Sequence, residues 1–345
     1  MRILLVHPGA EFSIWDVAQG LRRALVEQGH EIADYYITRR MTYHAAAMEL
    51  GGADVSQEHF PAIAKQACEN VIVEALYHRA DLVLLVSGLN FHPIGIKLLD
   101  LMREPRIPVA IVLTESPYED PQQAEFCGAH PDAVIFTNER STARMFGWHY
   151  LPHAFDPQVH QPGWADPAEA CDVLMLATGW PERQELLEQV NWTGIKLRLI
   201  GPWPYLPADH ALRAYLDDHC VDNPETPRLY ASAKICLNFF RRHPGAESLG
   251  PRTYELAACG AFQLSDPRPE LSEKFSGSIP VFHSASELEG LIRYYLGRDR
   301  ERVQLAAEAR NLVRGETFAS RAEMIMRAVR GATPALDRTA ALSTT

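Results

Sequence analysis

Two carboxylates, Glu247 and Glu255, stand on either side of Arg252 with seven residues between them, in the stretch GAESLGPRTYELAACGAFQLSD, residues 245–266. Gly250-Pro251 reads as the opening of a helix, because proline suits the first helical position, where no amide hydrogen is required. Tyr254, Leu256, Ala257 and Ala258 follow at helical spacing, and Gly260 closes the helix. Ala261, Phe262 and Leu264 then read as a short strand ending at Asp266. A helix start of this kind leaves free amides and the positive end of the dipole, a ready site for phosphate. Arg252 adds a permanent charge with a planar fork of donors. Taken alone, the same residues also fit a plainer reading: Glu255 as a solvated helix residue and Arg252 as its ion-pair partner.

The elements that must position this stretch form an α/β chain. At 345 residues the chain has room for two domains, each able to bury a core. An apolar fraction of 47% and a charged fraction of 22% belong to a soluble globular protein. A net charge of −11 speaks against a broad nucleic-acid face, which rests on Lys and Arg. No apolar run approaches the ~20 residues needed to span a membrane. MRILLVHPGAEF reads as a first strand rather than a signal peptide. The six cysteines are scattered without a Cys-x-x-Cys pair, so a reduced, cytoplasmic setting is expected.

Residues 2–7 are read as a strand, residues 13–28 as a helix capped by Ser13 and Asp16, and Ile32–Ile37 as a second strand. The dinucleotide glycine signature is absent, since only Gly9 sits in the first loop. Residues 40–60 lack a clear period and are read as an acceptor loop or a plain surface excursion. A helix over 61–78, a strand at Asp81–Val86, a helix reaching Met102 and strands at Val109–Leu113 and Ala133–Thr137 follow. Ligands gather beyond the carboxyl ends of parallel strands. This brings forward Asn90, His92, Glu115, Tyr118, Asp120, Asn138 and Glu139. Residues 148–167, rich in proline and aromatics, mark a boundary, with His160 exposed in the linker.

The second half restarts with a strand at Asp172–Ala177, then Gly179, a helix from Pro181 and Arg183 in its first turn. A cation there opposes the helix dipole, so Arg183 is either plainly exposed or recruited to an anion. Strands follow at Lys196–Ile200, Ile235–Phe239 and Pro280–His283, and Tyr205 or a residue near Val221 is a candidate contact for a nucleotide base, with nothing in the sequence selecting one. Asn238, Arg241 and Arg242 come at a strand end just before the central stretch. No Asp-x-Asp motif closes a strand, and Asp217-Asp218 reads as a solvated helix end, so no metal is invoked.

Glu247, seven residues, Glu255, then Ala-Cys-Gly and a strand resemble the donor-site motif of retaining GT-B glycosyltransferases. The wider run, from LNFFRR through RTYELAACGAFQLSD to RPELSEKF, is similar to the CgeB-like glycosyltransferases, a group named for a spore protein. The commoner motif has Gly-Phe-Gly after the first glutamate, where this chain has Ser248-Leu249-Gly250.

The resemblance implies two Rossmann-like parallel-sheet domains facing across a cleft. Residues 1–155 would bind the acceptor, 156–168 would link, and 169–316 would bind a nucleoside-diphosphate sugar, with a UDP-sugar as the expected donor. Residues 317–332 would form a helix crossing back, ahead of a disordered tail at 333–345. By position, Glu247 falls on the donor sugar and Glu255 on the ribose hydroxyls. Gly179, Arg183, Asn238, Arg241, Ser248, Leu249, Gly250 and Arg252 complete the donor set. Retention needs no dedicated base; inversion would need one, and His92, Glu115, Asp120 and His153 are the candidates. The implied activity is metal-independent glycosyl transfer to a glycan, protein, small-molecule or, less readily, DNA acceptor. The alternatives are a non-catalytic nucleotide-sugar binder in a surface assembly and a sugar-nucleotide epimerase.

Overall fold

Alternate side chains of the first strand, β1 (Arg2–His7), enter two different apolar cores. Leu4 and Val6 pack with Ala67, Cys68 and Val71, while Ile3 and Leu5 pack with Leu21, Leu25 and Ile325. A strand buried on both faces must be apolar throughout, which is why RILLVH has no alternation. The structure is a computed structural model, and it describes residues 1–7, 12–86, 107–114, 132–240 and 245–332. The chain divides into two units, Met1–Pro152 with Phe318–Thr345, and His153–Thr317.

In the first unit β1 is followed by α1 (Phe12–Glu27), β2 (Glu31–Tyr36), α2 (Ile37–Leu50) and α3 (Phe60–Tyr77). Then come β3 (Leu82–Val86), β4 (Val109–Leu113), β5 (Val134–Thr137), α4 (Arg140–Phe146) and β6 (His149–Tyr150). The strands pair in parallel in the order β2-β1-β3-β4-β5-β6. The helix expected to reach Met102 and the polar residues Asn90, His92, Glu115, Tyr118 and Asp120 lie outside the described residues.

One expectation is overturned in this unit. Residues 40–50, about half of the supposed acceptor loop, lie in helix α2. Its second half, Ala45 to Leu50, is made of strong helix formers. Only Ile37 of the helix is buried, so no apolar stripe announces it. It rests on α3 instead through polar contacts, an Arg40–Glu74 ion pair and a 3.0 Å bond between Asn70 Nδ2 and His44 Nε2.

The second unit contains β7 (Cys171–Leu176), α5 (Pro181–Glu188), β8 (Leu197–Ile200), β9 (Leu216–Asp217), α6 (Thr226–Ser232) and β10 (Ala233–Asn238). It continues with α7 (Pro251–Ala258), β11 (Gln263–Ser265), α8 (Pro269–Phe275), α9 (Ala285–Leu296) and α10 (Asp299–Leu312). Its parallel sheet has the order β11-β10-β7-β8-β9. Cys171, Cys236 and Cys259 lie together under α6 and α7 as small buried hydrophobes, and burial pushes each thiol up.

Three further readings change here. Asp217 belongs to β9 rather than a helix end, and it accepts from Arg198 Nε at 2.6 Å, while Asp218 pairs with Arg213 at 3.2 Å. Pro280–His283 is not a strand but a single parallel bridge, Val281 to Ser265. His160 is only 3% exposed, because the turn from Asp156 folds it inward to meet the Asp156 amide and Asn223.

The last helix, α11 (Phe318–Ala332), packs in the first unit. Ala322, Ile325, Met326 and Val329 enter the core beside α1, and Arg321 Nε donates to Pro152 O at 2.7 Å.

Candidate functional site

Helix α7 begins as the sequence requires. Gly250 is its N-cap in extended conformation, and Pro251 takes the first helical position. It ends in a Schellman motif: Ala261 N donates to Leu256 O at 2.9 Å and Gly260 N to Ala257 O at 3.0 Å, with Gly260 at φ +70. Tyr254, Ala257 and Ala258 face one core and Leu256 another, so both flanks of this short helix are fixed by packing.

Arg252 turns toward α6, where its guanidinium donates to the Tyr230 hydroxyl. It also pairs with Glu255 at 3.4 Å, a residue whose side chain is only 13% exposed. Glu255 is therefore not a solvated helix residue, although the ion pair itself exists. Burial works against the arginine charge, but Tyr230 and Glu255 outweigh it and hold the guanidinium's pKa above its usual value. Burial also pushes the Tyr230 phenol up.

The loop ahead of α7 is held by a residue that sequence reasoning left without a role. Glu270, in the first turn of α8, accepts from Leu249 N at 2.9 Å and from Tyr254 Oη at 3.4 Å. Its own amide donates to Glu247 O at 3.1 Å. Glu270 thus anchors both ends of Glu247–Leu249. Leu249 is 2% exposed and packs in the core, and its amide is engaged by Glu270. Ser248 is buried as well, and Glu247 is half-buried. A Pro-Glu pair opening a helix was the available signal for Glu270.

Three more of the predicted donor residues, Asn238, Gly179 and Arg183, tie neighbouring elements together. Asn238 Nδ2 donates to Thr253 Oγ1 at 2.8 Å and to Gln263 Oε1 at 3.3 Å, tying β10 to α7 and β11. At Gly179 a Cβ would fall 2.1 Å from the Trp203 ring, so close packing explains this glycine. Arg183 donates to Phe239 O at 2.7 and 3.2 Å and to Thr178 O at 2.7 Å. It is neither plainly exposed nor aimed only at an anion; it staples the loop after β7 to the end of β10. The amide of the same peptide group, Phe240 N, donates to Asp266 Oδ1 at 2.8 Å. Asp266 is 5% exposed, and burial pushes its carboxyl up to about 6 against the pull of that amide, Arg268 and Arg183. Asp266 was read only as a strand end, and nothing local in the sequence reveals its burial.

His153 is half-buried at the start of the second unit, and Tyr205 is 57% exposed and stacks on Trp180 with centroids 5.7 Å apart. Glu115, Arg241 and Arg242 lie outside the described residues. Among the described residues no group of three or more His, Cys, Asp or Glu could hold a metal. No described helix is long and apolar enough to cross a membrane.

Residues 182–327, which span α7 and its supports, match the family model described as glycosyl transferase-like. The spore protein CgeB of Bacillus subtilis (strain 168) is 25% identical over 221 residues, covering 58% of this chain and 68% of that protein. Among solved structures, sucrose-phosphate synthase from Thermosynechococcus elongatus superposes with TM-score 0.66 at 11% identity, covering 96% of this chain and all of that one (100%). An alpha-glucosyltransferase in complex with UDP and a 13-mer DNA gives 0.63 at 13% identity, covering 95% and 99%. Anabaena HepE in complex with UDP gives 0.59 at 13% identity, covering 96% and 99%. Both units, each an α/β domain on a parallel sheet, take part in these superpositions. The chain accordingly has the GT-B fold, matches the glycosyl transferase-like family over residues 182–327, and resembles the spore protein CgeB.

Proposed function

We propose that the second unit binds a nucleoside-diphosphate sugar, with a UDP-sugar as the donor, and that the chain passes the sugar to an acceptor hydroxyl without a metal and with retention. The observation that carries this reading is the start of α7. There a glycine-proline helix opening stands at the carboxyl end of β10, with a charged Arg252–Glu255 pair in its first turns. The UDP bound by two of the structural neighbours supports the choice of nucleotide.

As the glycosidic bond breaks, the leaving diphosphate gains charge. The amides of Gly250 and Arg252 at the opening of α7, with the Arg252 guanidinium, would stabilise that charge where it develops. Glu255, held by Arg252 and mostly buried, is a preorganised acceptor for ribose hydroxyls. Glu247, on a loop pinned by Glu270, would meet the sugar. Arg183 acts one step removed, by fixing the root of that loop.

A thermal-shift series with UDP, GDP, ADP, TDP and CMP, with and without EDTA, tests the reading. A ligand at 100 times its Kd stabilises the native state by about 2.7 kcal/mol. The expected result is a rise in Tm with UDP that EDTA leaves intact, and at least a tenfold loss of UDP affinity in Glu255→Ala. No shift with any nucleotide would overturn the donor site. Arg252→Ala should nearly abolish turnover of the donor and also lower Tm, because it strands Glu255 without its cation.

A further inference from the structure

In the first unit, two buried polar atoms have no hydrogen-bond partner, His7 Nδ1 at the carboxyl end of β1 and Gln19 Nε2 on α1. His7 is the last residue of β1 and its side chain is fully buried, at 0% exposure. Its other nitrogen, Nε2, lies 2.8 Å from Asp34 Oδ1. Asp34 also receives Arg22, whose Nε approaches both carboxylate oxygens at 2.8 and 2.9 Å. The hydrogen bonds from His7 and Arg22 overcome the upward push of burial and hold the Asp34 carboxyl down at about 2. An ionised carboxylate can only accept, so in the neutral form of the His7 ring the proton sits on Nε2. Nδ1 is then a buried lone pair with no partner in the protein. Buried polar groups are nearly always satisfied, and an exception marks a missing partner.

The surroundings say what that partner is. Tyr36 stacks on the His7 ring at 4.3 Å between centroids, and Trp15 lies tilted at 5.7 Å. Trp15, Gln19 and Arg22 follow one another at helical spacing on α1, so Gln19 shares the stripe that faces this cluster. An unpaired acceptor beside aromatic rings, with an unpaired donor on the helix stripe that supplies Trp15, suits a group that both donates and accepts. A hydroxyl does so. Carboxyl ends of parallel strands are also where such sheets take ligands.

We propose that His7, oriented by Asp34, is a hydroxyl-binding residue of the first unit, and that its Nδ1 accepts a hydrogen bond from a polyhydroxylated acceptor of the sugar or polyol class. The choice of class rests on the glycosyl-transfer reading above; the unpaired nitrogen does not. No proton or bond need move for this role: Nδ1 sets the direction of the acceptor hydroxyl and Asp34 sets the tautomer of the ring.

The test uses the full chain with ¹⁵N-labelled histidine and long-range ¹H–¹⁵N spectra, with methyl α-D-glucopyranoside, myo-inositol and glycerol as probes. His7→Gln assigns the resonances. The free protein is expected to show His7 protonated on Nε2 alone, with an Nδ1 signal that at least one probe moves saturably. Asp34→Asn should weaken that response at least tenfold while leaving UDP affinity within twofold. An Nδ1 that already carries a proton, or that none of the probes moves, would overturn the proposal even if the variants fail to fold, because both readings come from the wild type. UDP-induced stabilisation with a silent His7 would sink this inference and leave the donor site standing. A responsive His7 with no nucleotide effect would do the reverse.

Discussion

Arg183 and Asp266 hold opposite ends of one peptide group, the guanidinium on Phe239 O and the carboxylate on Phe240 N. A cation at the carbonyl and an anion at the amide each strengthen the other's hydrogen bond. The clamp fixes the chain where it leaves β10 for the Glu247 loop. Its weak point is Asp266, whose proton is retained up to about 6 in the fold, whereas an unfolded aspartate titrates near ~4. Between those values the native state binds more protons than the unfolded chain, so this residue lowers stability as pH rises through the interval. Asp266→Asn keeps an oxygen for the Phe240 amide and removes the titration. Its stability relative to wild type should therefore grow by on the order of 2–3 kcal/mol between about pH 4 and pH 7, read from urea midpoints. A difference that does not change with pH would show that Asp266 is not titrating there. Asp34 has the opposite sign: its contribution is present above the unfolded value and is lost as pH falls toward about 2.

Helix α1 and helix α11 meet across a glycine. A Cβ on Gly20 would sit 2.2 Å from the Phe318 ring, inside any tolerable contact. On an exposed helix face glycine to alanine gains about 1 kcal/mol. Here the sign should reverse: Gly20→Ala is expected to cost about 1–3 kcal/mol through overpacking, measured as a lower urea midpoint. A stabilised variant would mean that Phe318 moves aside freely. The same logic separates elements that the sequence reveals from those it hides. Helix α7 was legible because its signals are local, Pro251 at the start and Gly260 at the end. Helix α2 was not, because its stability comes from alanines and from polar contacts to α3 rather than from an apolar stripe. Glu270 reads as an ordinary first-turn glutamate, and only the return of the chain against Leu249 makes it a support.

The molecule consists of two units, and the last described helix of the chain, α11, packs in the first of them. Ending the chain after Thr317 would strip Ala322, Ile325, Met326 and Val329 from the core beside β1 and α1. Calorimetry of that truncated chain should show the transition of the first unit at lower temperature, with UDP still raising the transition of the second. Two unchanged transitions would show that α11 contributes nothing to the first unit. The parallel α/β order, the strand at RILLVH and the Gly250–Gly260 helix follow from the sequence by itself, since apolar runs, helical spacing and Gly/Pro punctuation act over a few residues. Only the tertiary structure decided that Arg183 bonds to Phe239 O and Asn238 to Thr253, that Asp266 is buried, and that His7 meets Asp34. Each of those facts depends on strands and helices far apart in the chain being brought side by side, and burial and partners exist only once they are.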